Sequence, residues 1–206
     1  MTEIDLILEK LNKYYPDARC ELDYQSPFQL LIATILSAQA TDKSVNKLTG
    51  TLFQDYPDLD AFLGFSETEI SEKIREIGLY KSKSKNIHKL CHILKNDYNG
   101  KVPQTFEELT TLPGVGKKTA SVVLSVAFGI PALAVDTHVF RVTRRIGLTE
   151  MDTPDKVADD LMSKIDESKW IKAHHLFIFH GRRICKARKP DCINCIVNKE
   201  CKKIGI

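Results

Sequence analysis

The sequence predicts an all-α protein, and three observations carry that reading. Apolar residues recur at helical spacing through most of the 206 residues. Cap residues and glycines punctuate the chain at intervals that suit short helices, about ten of them. No stretch alternates apolar and polar residues between hairpin-type turn pairs, so no significant sheet is expected.

The elements follow in order. Ile4, Ile7, Leu8, Leu11 and Tyr14 mark one face of a first helix, and Pro16 follows its end. Ser26 and Pro27 form a cap with proline at the first helical position. Residues 28–40 are apolar on nearly every side, which suits the centre of a bundle. Thr41 caps an amphipathic stretch with Val45, Leu48, Leu52 and Phe53. Ser66 with Glu69, and Thr105 with Glu108, have the spacing of capping boxes. Gly78, Gly100, Gly129 and Gly147 fall where helices should stop. A late helix over residues 168–184 carries Trp170, read as a core anchor, and His174, His175 and His180, read as packing or surface groups. The best-marked boundary is Gly129-Ile130-Pro131.

Composition removes several classes. Hydrophobic residues make up 43% and charged residues 28%, an ordinary globular mix that argues against disorder. The acidic start, Met1-Thr2-Glu3-Ile4-Asp5, lacks the positive n-region of a signal peptide. The uncharged runs at residues 24–41 and 119–135 are interrupted by Gln, Ser, Pro or Gly, so they read as buried helices and no membrane partner is expected. A cytoplasmic monomer is the default expectation. Net charge is only +3, yet residues 182–203 hold eight basic residues against Asp191 and Glu200. Such a patch suits a polyanion, or simply a solvated tail.

Four segments could carry chemistry. In Leu112-Pro113-Gly114-Val115-Gly116-Lys117-Lys118-Thr119-Ala120, proline and two glycines close one helix and open another. Gly114 and Gly116 can take positive φ and bare their N–H groups beside a new helix N-terminus, which favours a phosphate. A plain helix–turn–helix corner is the bland alternative. Lys117 and Lys118 stand at the unfavourable end of the helix dipole and repel each other. Both effects favour the neutral amine that a nucleophile needs, although phosphate contact or simple solvation would also account for two lysines. Asp136, in Val135-Asp136-Thr137-His138, sits at a helix start where it, or Thr137, would serve as cap; a carboxylate there could also steady positive charge.

The fourth segment is a cysteine group. Cys185, Cys192, Cys195 and Cys201 fall within 17 residues, while Cys20 and Cys91 stand alone and read as ordinary core side chains. Without a secretion signal, a tight cysteine group suggests metal rather than disulfides. Zinc held by four cysteines usually shows two CxxC pairs; this pattern has one, so an iron–sulfur cluster is the better expectation.

These segments, together with Leu36-Ser37-Ala38-Gln39-Ala40-Thr41-Asp42 and Gly78-Leu79-Tyr80-Lys81, resemble in order and spacing the endonuclease III family. That family belongs to the helix-hairpin-helix superfamily of DNA base-excision glycosylases. The resemblance covers nearly the whole chain. It implies a two-domain, all-α helix-hairpin-helix glycosylase fold. A six-helix barrel-like module lies near residues 20–130. A second domain, residues 1–19 with 131–206, carries a [4Fe-4S] cluster on Cys185, Cys192, Cys195 and Cys201.

The resemblance further implies damaged double-stranded DNA as partner and a bifunctional glycosylase/AP lyase. Such an enzyme excises oxidised pyrimidines and cuts the strand by β-elimination through a lysine Schiff base. Lys118 would be the catalytic nucleophile and Asp136 its carboxylate partner. Gln39 would fill the gap left by the extruded nucleotide, with Leu79 as the wedge beside it. Gly114, Gly116, Lys117 and Thr119 would meet the DNA backbone. Two alternatives stand. A monofunctional mismatch glycosylase of the same superfamily generally lacks the lysine at this hairpin position. A non-catalytic DNA-binding module with structural zinc would be colourless rather than yellow-brown.

Lys186, Arg188 and Lys189 are interleaved with the cysteines, so the cluster's expected job is to fold their loop toward phosphates. Neutralising the three should weaken binding to damaged and undamaged duplexes alike. It should also flatten the salt dependence by about 0.9 in log–log slope per lost contact. Anisotropy titrations across salt concentrations read both quantities, and loss of lesion preference alone would refute the assignment.

Overall fold

The computed structural model describes residues 2–206; Met1, which opens the N-terminal segment, lies outside the described residues. Among the described residues there are eleven α-helices, one 3-10 turn and no strand. The helices are α1 (Glu3–Tyr14), α2 (Pro27–Ser37), α3 (Asp42–Asp55), α4 (Leu59–Leu63), α5 (Glu67–Lys73), α6 (Tyr80–Asp97), α7 (Phe106–Thr111), α8 (Lys117–Phe128), α9 (Thr137–Ile146), α10 (Pro154–Lys164) and α11 (Trp170–Arg183). Among the described residues no helix is long and apolar enough to cross a membrane. The chain forms two compact units, Met1–Cys20 with Pro131–Ile206, and Glu21–Ile130.

In the unit Glu21–Ile130, α2 is the central element. Ser26 caps it by accepting from the Gln29 N–H, and every residue from Phe28 to Leu36 is buried. A helix apolar all round needs neighbours on all sides, and α2 packs against α3, α6 and α8. Its one large polar residue, Gln29, is satisfied at both ends, accepting from the Gln25 N–H and donating to the Pro57 carbonyl. The helix ends at Ser37, three residues short of the expected Ala40. No glycine or proline stops it; at its end the buried ammonium of Lys83 donates to the Leu36 and Ala38 carbonyls at 2.8 and 2.7 Å.

The other expected signals divide. The capping box at Ser66 and Glu69 closes in both directions. That at Thr105 closes only partly: Thr105 accepts from the Glu108 N–H, but its hydroxyl takes the carboxylate that would have reached back to the cap N–H. Gly129 and Gly147 are left-handed C-caps, and Gly100 closes α6 by donating to Leu94 O. Gly78 stops no helix, because α5 has already ended at Lys73.

The other unit is built on α9, α11 and α1. Val139, Val142, Thr143 and Ile146 line the buried face of α9 at helical spacing. They meet Phe177 and Leu176 of α11 and Ile7 and Leu11 of α1 in one core. Gly181 permits the closeness of α9 and α11: a Cβ there would lie 3.0 Å from His138 Cβ and 3.1 Å from Val142 Cγ2. Helix α11 begins at Trp170, two residues later than expected, because Glu167–Lys169 winds as a 3-10 turn capped by Asp166. Trp170 is a half-buried rim residue, its indole donating to Ile165 O. His174, His175 and His180 are all buried, and His174 Nδ1 donates to Ala134 O at 2.8 Å.

Burial, reinforced by His174 and Lys172, pushes His175 down to about 3, from about 6.5 in an unfolded chain. Between those values the unfolded state binds a proton that the folded state does not, so stability falls as pH falls. The contribution is at most about 1.4 kcal/mol per pH unit. Urea unfolding of wild type and His175→Leu at pH 7 and pH 5 tests this. The variant should lose less stability on acidification, and equal losses would disprove the assignment.

Candidate active site

Helices α7 and α8 pack together and are joined by residues 112–116. Leu112 and Val115 are buried and hold the turn to the core, and the Val115 N–H donates to Leu112 O. Gly114 takes φ +79, and a Cβ there would press on Asn86 at 3.1 Å, so both conformation and space select glycine. Gly116 differs from expectation. Its φ is −90, ordinary extended backbone, and its role is to be the N-cap of α8. It brings no side chain to that end, so the first N–H groups of α8 are not capped from within. Lys117 and Lys118 follow, both exposed, and Thr119 is half-buried in the same turn. The result is a knuckle of backbone N–H groups and two ammonium groups, which suits an anion.

Asp136 settles which residue caps α9. One carboxylate oxygen accepts from both the His138 and Val139 N–H groups, each at 2.8 Å. Lys118 and Asp136 belong to different compact units.

Two further predicted site residues share an unusual backbone. Gln39 has φ +56 and Leu79 φ +61, although neither is glycine. For a leucine this conformation costs about 1–3 kcal/mol and persists only where the surroundings enforce it. Leu79 is also 54% exposed and begins α6 without any side-chain cap. A strained, solvent-facing leucine contributes little to folding, which fits a contact with another molecule. The backbone of Gln39 runs close by: its carbonyl oxygen lies 3.9 Å from where a Cβ on Gly78 would be.

The cysteine loop follows α11. Cys185, Cys192, Cys195 and Cys201 line one pocket, with Cys185 buried and the others half-buried. Donors surround the sulfurs. The Lys203 N–H donates to Cys201 Sγ at 3.4 Å, and Arg145 Nη1 lies 3.7 Å from Cys185 Sγ. His180 bridges to the loop, its Nδ1 3.2 Å from the Tyr15 hydroxyl and its Nε2 3.4 Å from Cys195 Sγ. Burial lowers His180 to about 4, so it stays neutral. Among the described residues no three His, Cys, Asp or Glu are arranged to hold a single metal ion. Four thiols lining one pocket, with N–H groups at two of them, remain a suitable donor set for a thiolate-ligated group.

Sequence reasoning missed the two arginines that hold this loop. Arg141 donates to the carbonyls of Cys185 and Gly181, and Arg145 forks onto those of Lys186 and Ala187. Their i,i+4 spacing on α9 was visible, but their partners were not. Lys10 of α1 adds an ion pair to Glu200 at 2.6 Å. Lys186, Arg188 and Lys189 themselves are exposed.

Comparison with known proteins adds lineage to this geometry. Residues 32–167 match the model of the HhH-GPD superfamily of base excision DNA repair proteins. A protein of Rickettsia conorii named endonuclease III is 50% identical over 96% of this chain and 94% of its own. Two solved structures are each 46% identical over 98% of this chain. One is a non-covalent endonuclease III–DNA complex, with a TM-score of 0.94 over 96% of that chain. The other is a trapped endonuclease III–DNA covalent intermediate, with a TM-score of 0.93 over 97% of that chain.

The cap role of Asp136 can be isolated from its charge. Asp136→Ala should lower unfolding stability by about 1 kcal/mol, whereas Asp136→Asn keeps an equally good cap and should leave it nearly unchanged. Denaturant unfolding of both variants decides; equal losses would show that the cap bonds are not what stabilises this turn.

Proposed function

The chain belongs to the HhH-GPD superfamily of base excision DNA repair proteins, and from that premise we propose that Lys118 and Asp136 carry out its reaction. The protein is a bifunctional DNA glycosylase and AP lyase acting on oxidised pyrimidines in duplex DNA. The observation that carries the residue assignment is Lys118 itself, an exposed amine in the first turn of α8, directly behind the Gly114–Gly116 knuckle.

The chemistry follows from what these groups can do. The damaged nucleotide must leave the base stack, at a cost of about a few kcal/mol, less for a lesion that pairs poorly. Leu79 enters beside it, and Gln39 takes the vacated space. The α8 N-terminus with Gly114, Gly116, Lys117 and Thr119 holds the backbone without reading sequence. The neutral Lys118 Nζ forms a bond to C1′ of the deoxyribose as the C1′–base bond breaks, and the base leaves with that electron pair and a proton. Asp136 offsets the positive charge that develops on the sugar. The sugar ring then opens to a protonated Schiff base. Loss of a C2′ proton expels the 3′ phosphate, cutting the strand, and water hydrolyses the imine to return the lysine.

Cys185, Cys192, Cys195 and Cys201 would hold a [4Fe-4S] cluster. When bound, the cluster supplies a structural centre for the loop that presents Lys186, Arg188 and Lys189. We propose that the protein works as a monomer in the cytoplasm, on the cell's DNA.

Borohydride trapping on a duplex with one thymine glycol tests the assignment. Wild type should give a covalent adduct that Lys118→Ala abolishes. Asp136→Asn should slow the reaction on the order of a hundredfold while remaining folded. An adduct that survives in Lys118→Ala would move the nucleophile to another amine, Lys117 first. Base release without any adduct would favour hydrolytic glycosylase chemistry.

A further inference from the structure

Lys83 is a buried lysine that the reaction above does not use, only 4% exposed in the first turns of α6. Burying an ammonium is costly unless its donors are met. Two are met by main-chain oxygens, Leu36 O at 2.8 Å and Ala38 O at 2.7 Å, at the end of α2. A cation at a helix C-terminus is favoured by the dipole and satisfies carbonyls that the helix leaves open. Burial also lowers the Lys83 pKa, so these two carbonyls are its compensation.

The location of this clamp is what makes it informative. Ala38 directly precedes Gln39, and the Lys83 N–H donates to Leu79 O at 3.0 Å. Lys83 therefore stands in the first turn of the helix that Leu79 opens, and its side chain ties the loop before Gln39 to that turn. Those loops carry Gln39 and Leu79, two of the five left-handed non-glycine residues among the described residues, and they run side by side at Gly78. Neither backbone conformation is one its residue prefers, so something outside each loop must impose it.

We propose that Lys83 is a positioning residue: it locks the Gln39 loop onto the Leu79 turn and so sets the spacing of the two side chains that enter the duplex. This deepens the functional reading above and rests on it. The clamp matters only when a stacked duplex has to be opened. A single strand carrying an abasic site presents the same sugar to Lys118 with no stack to invade.

The test compares Lys83→Met, which keeps length and apolar bulk but loses both bonds, with Lys83→Arg, which keeps the positive donor. Single-turnover cleavage is measured on a thymine glycol duplex and on a single-stranded oligonucleotide with one abasic site. In parallel, 2-aminopurine opposite a tetrahydrofuran site reports unstacking on binding. Lys83→Met should lose on the order of tenfold to a hundredfold on the duplex, with the single-strand rate unchanged and the fluorescence rise diminished. Lys83→Arg should recover part of the duplex rate and of the fluorescence.

A duplex rate in Lys83→Met equal to wild type would overturn the proposal, as would the same loss on both substrates, which is what a merely structural role gives. If wild type itself cleaves neither substrate, the glycosylase/lyase reading fails and this inference falls with it.

Discussion

An α-helix leaves its first four N–H groups and last four carbonyls without partners, and a chain cut into eleven short helices has many such ends. Most starts are closed locally. Thr2, Ser26, Thr41, Asp58, Ser66, Thr105, Asp136 and Thr153 each accept from a backbone N–H two or three residues on. Helices α6, α8 and α11 begin on Leu79, Gly116 and Lys169, none of which makes a side-chain cap bond; α11 instead continues the 3-10 turn that Asp166 caps. The first two of these starts carry the proposed wedge, Leu79, and the proposed nucleophile, Lys118.

The two compact units use this constraint differently. In Glu21–Ile130 the fully buried α2 provides the rigid centre, and polar groups at its two ends are matched individually, Gln29 near the start and Lys83 at the end. Rigidity there suits a part that must hold a shape against a stacked duplex. In the other unit the segment beyond α11 forms no long helix. Its order comes from contacts to neighbouring elements: Arg141 and Arg145 on loop carbonyls, Val197 in the core, and the Lys202 and Ile204 N–H groups on Ile146 and Arg145 carbonyls. Four thiols lining one pocket add a site where a bound group would tie the remaining strands of the loop together.

Asp136 caps α9, and the chemical role proposed for it would rest on the same side chain. A cap requires a carboxyl oxygen aimed at two N–H groups, and that geometry fixes the position of the second oxygen as well. The cap thus holds the carboxylate in place, and under the proposed role little reorganisation would remain for the reaction to supply. The Gly114 turn works similarly. The conformation that lets the chain pass Asn86 also exposes backbone to a phosphate.

By itself the sequence determined whatever depends on neighbours three or four residues away. Helical periodicity, the caps at Ser26, Thr41 and Ser66, the glycine knuckle before Lys118 and the grouping of four cysteines were all legible, because their physics is local. Other features were decided only by the tertiary structure. The ammonium at the early end of α2 comes from Lys83, 47 residues from Leu36. The fork that holds the basic loop joins Arg145 to Lys186, 41 residues apart. The left-handed backbones of Gln39 and Leu79 carry no glycine to announce them. A long side chain looks the same in sequence whether it ends in water or on a distant carbonyl. Only packing, by excluding water from that carbonyl, decides which.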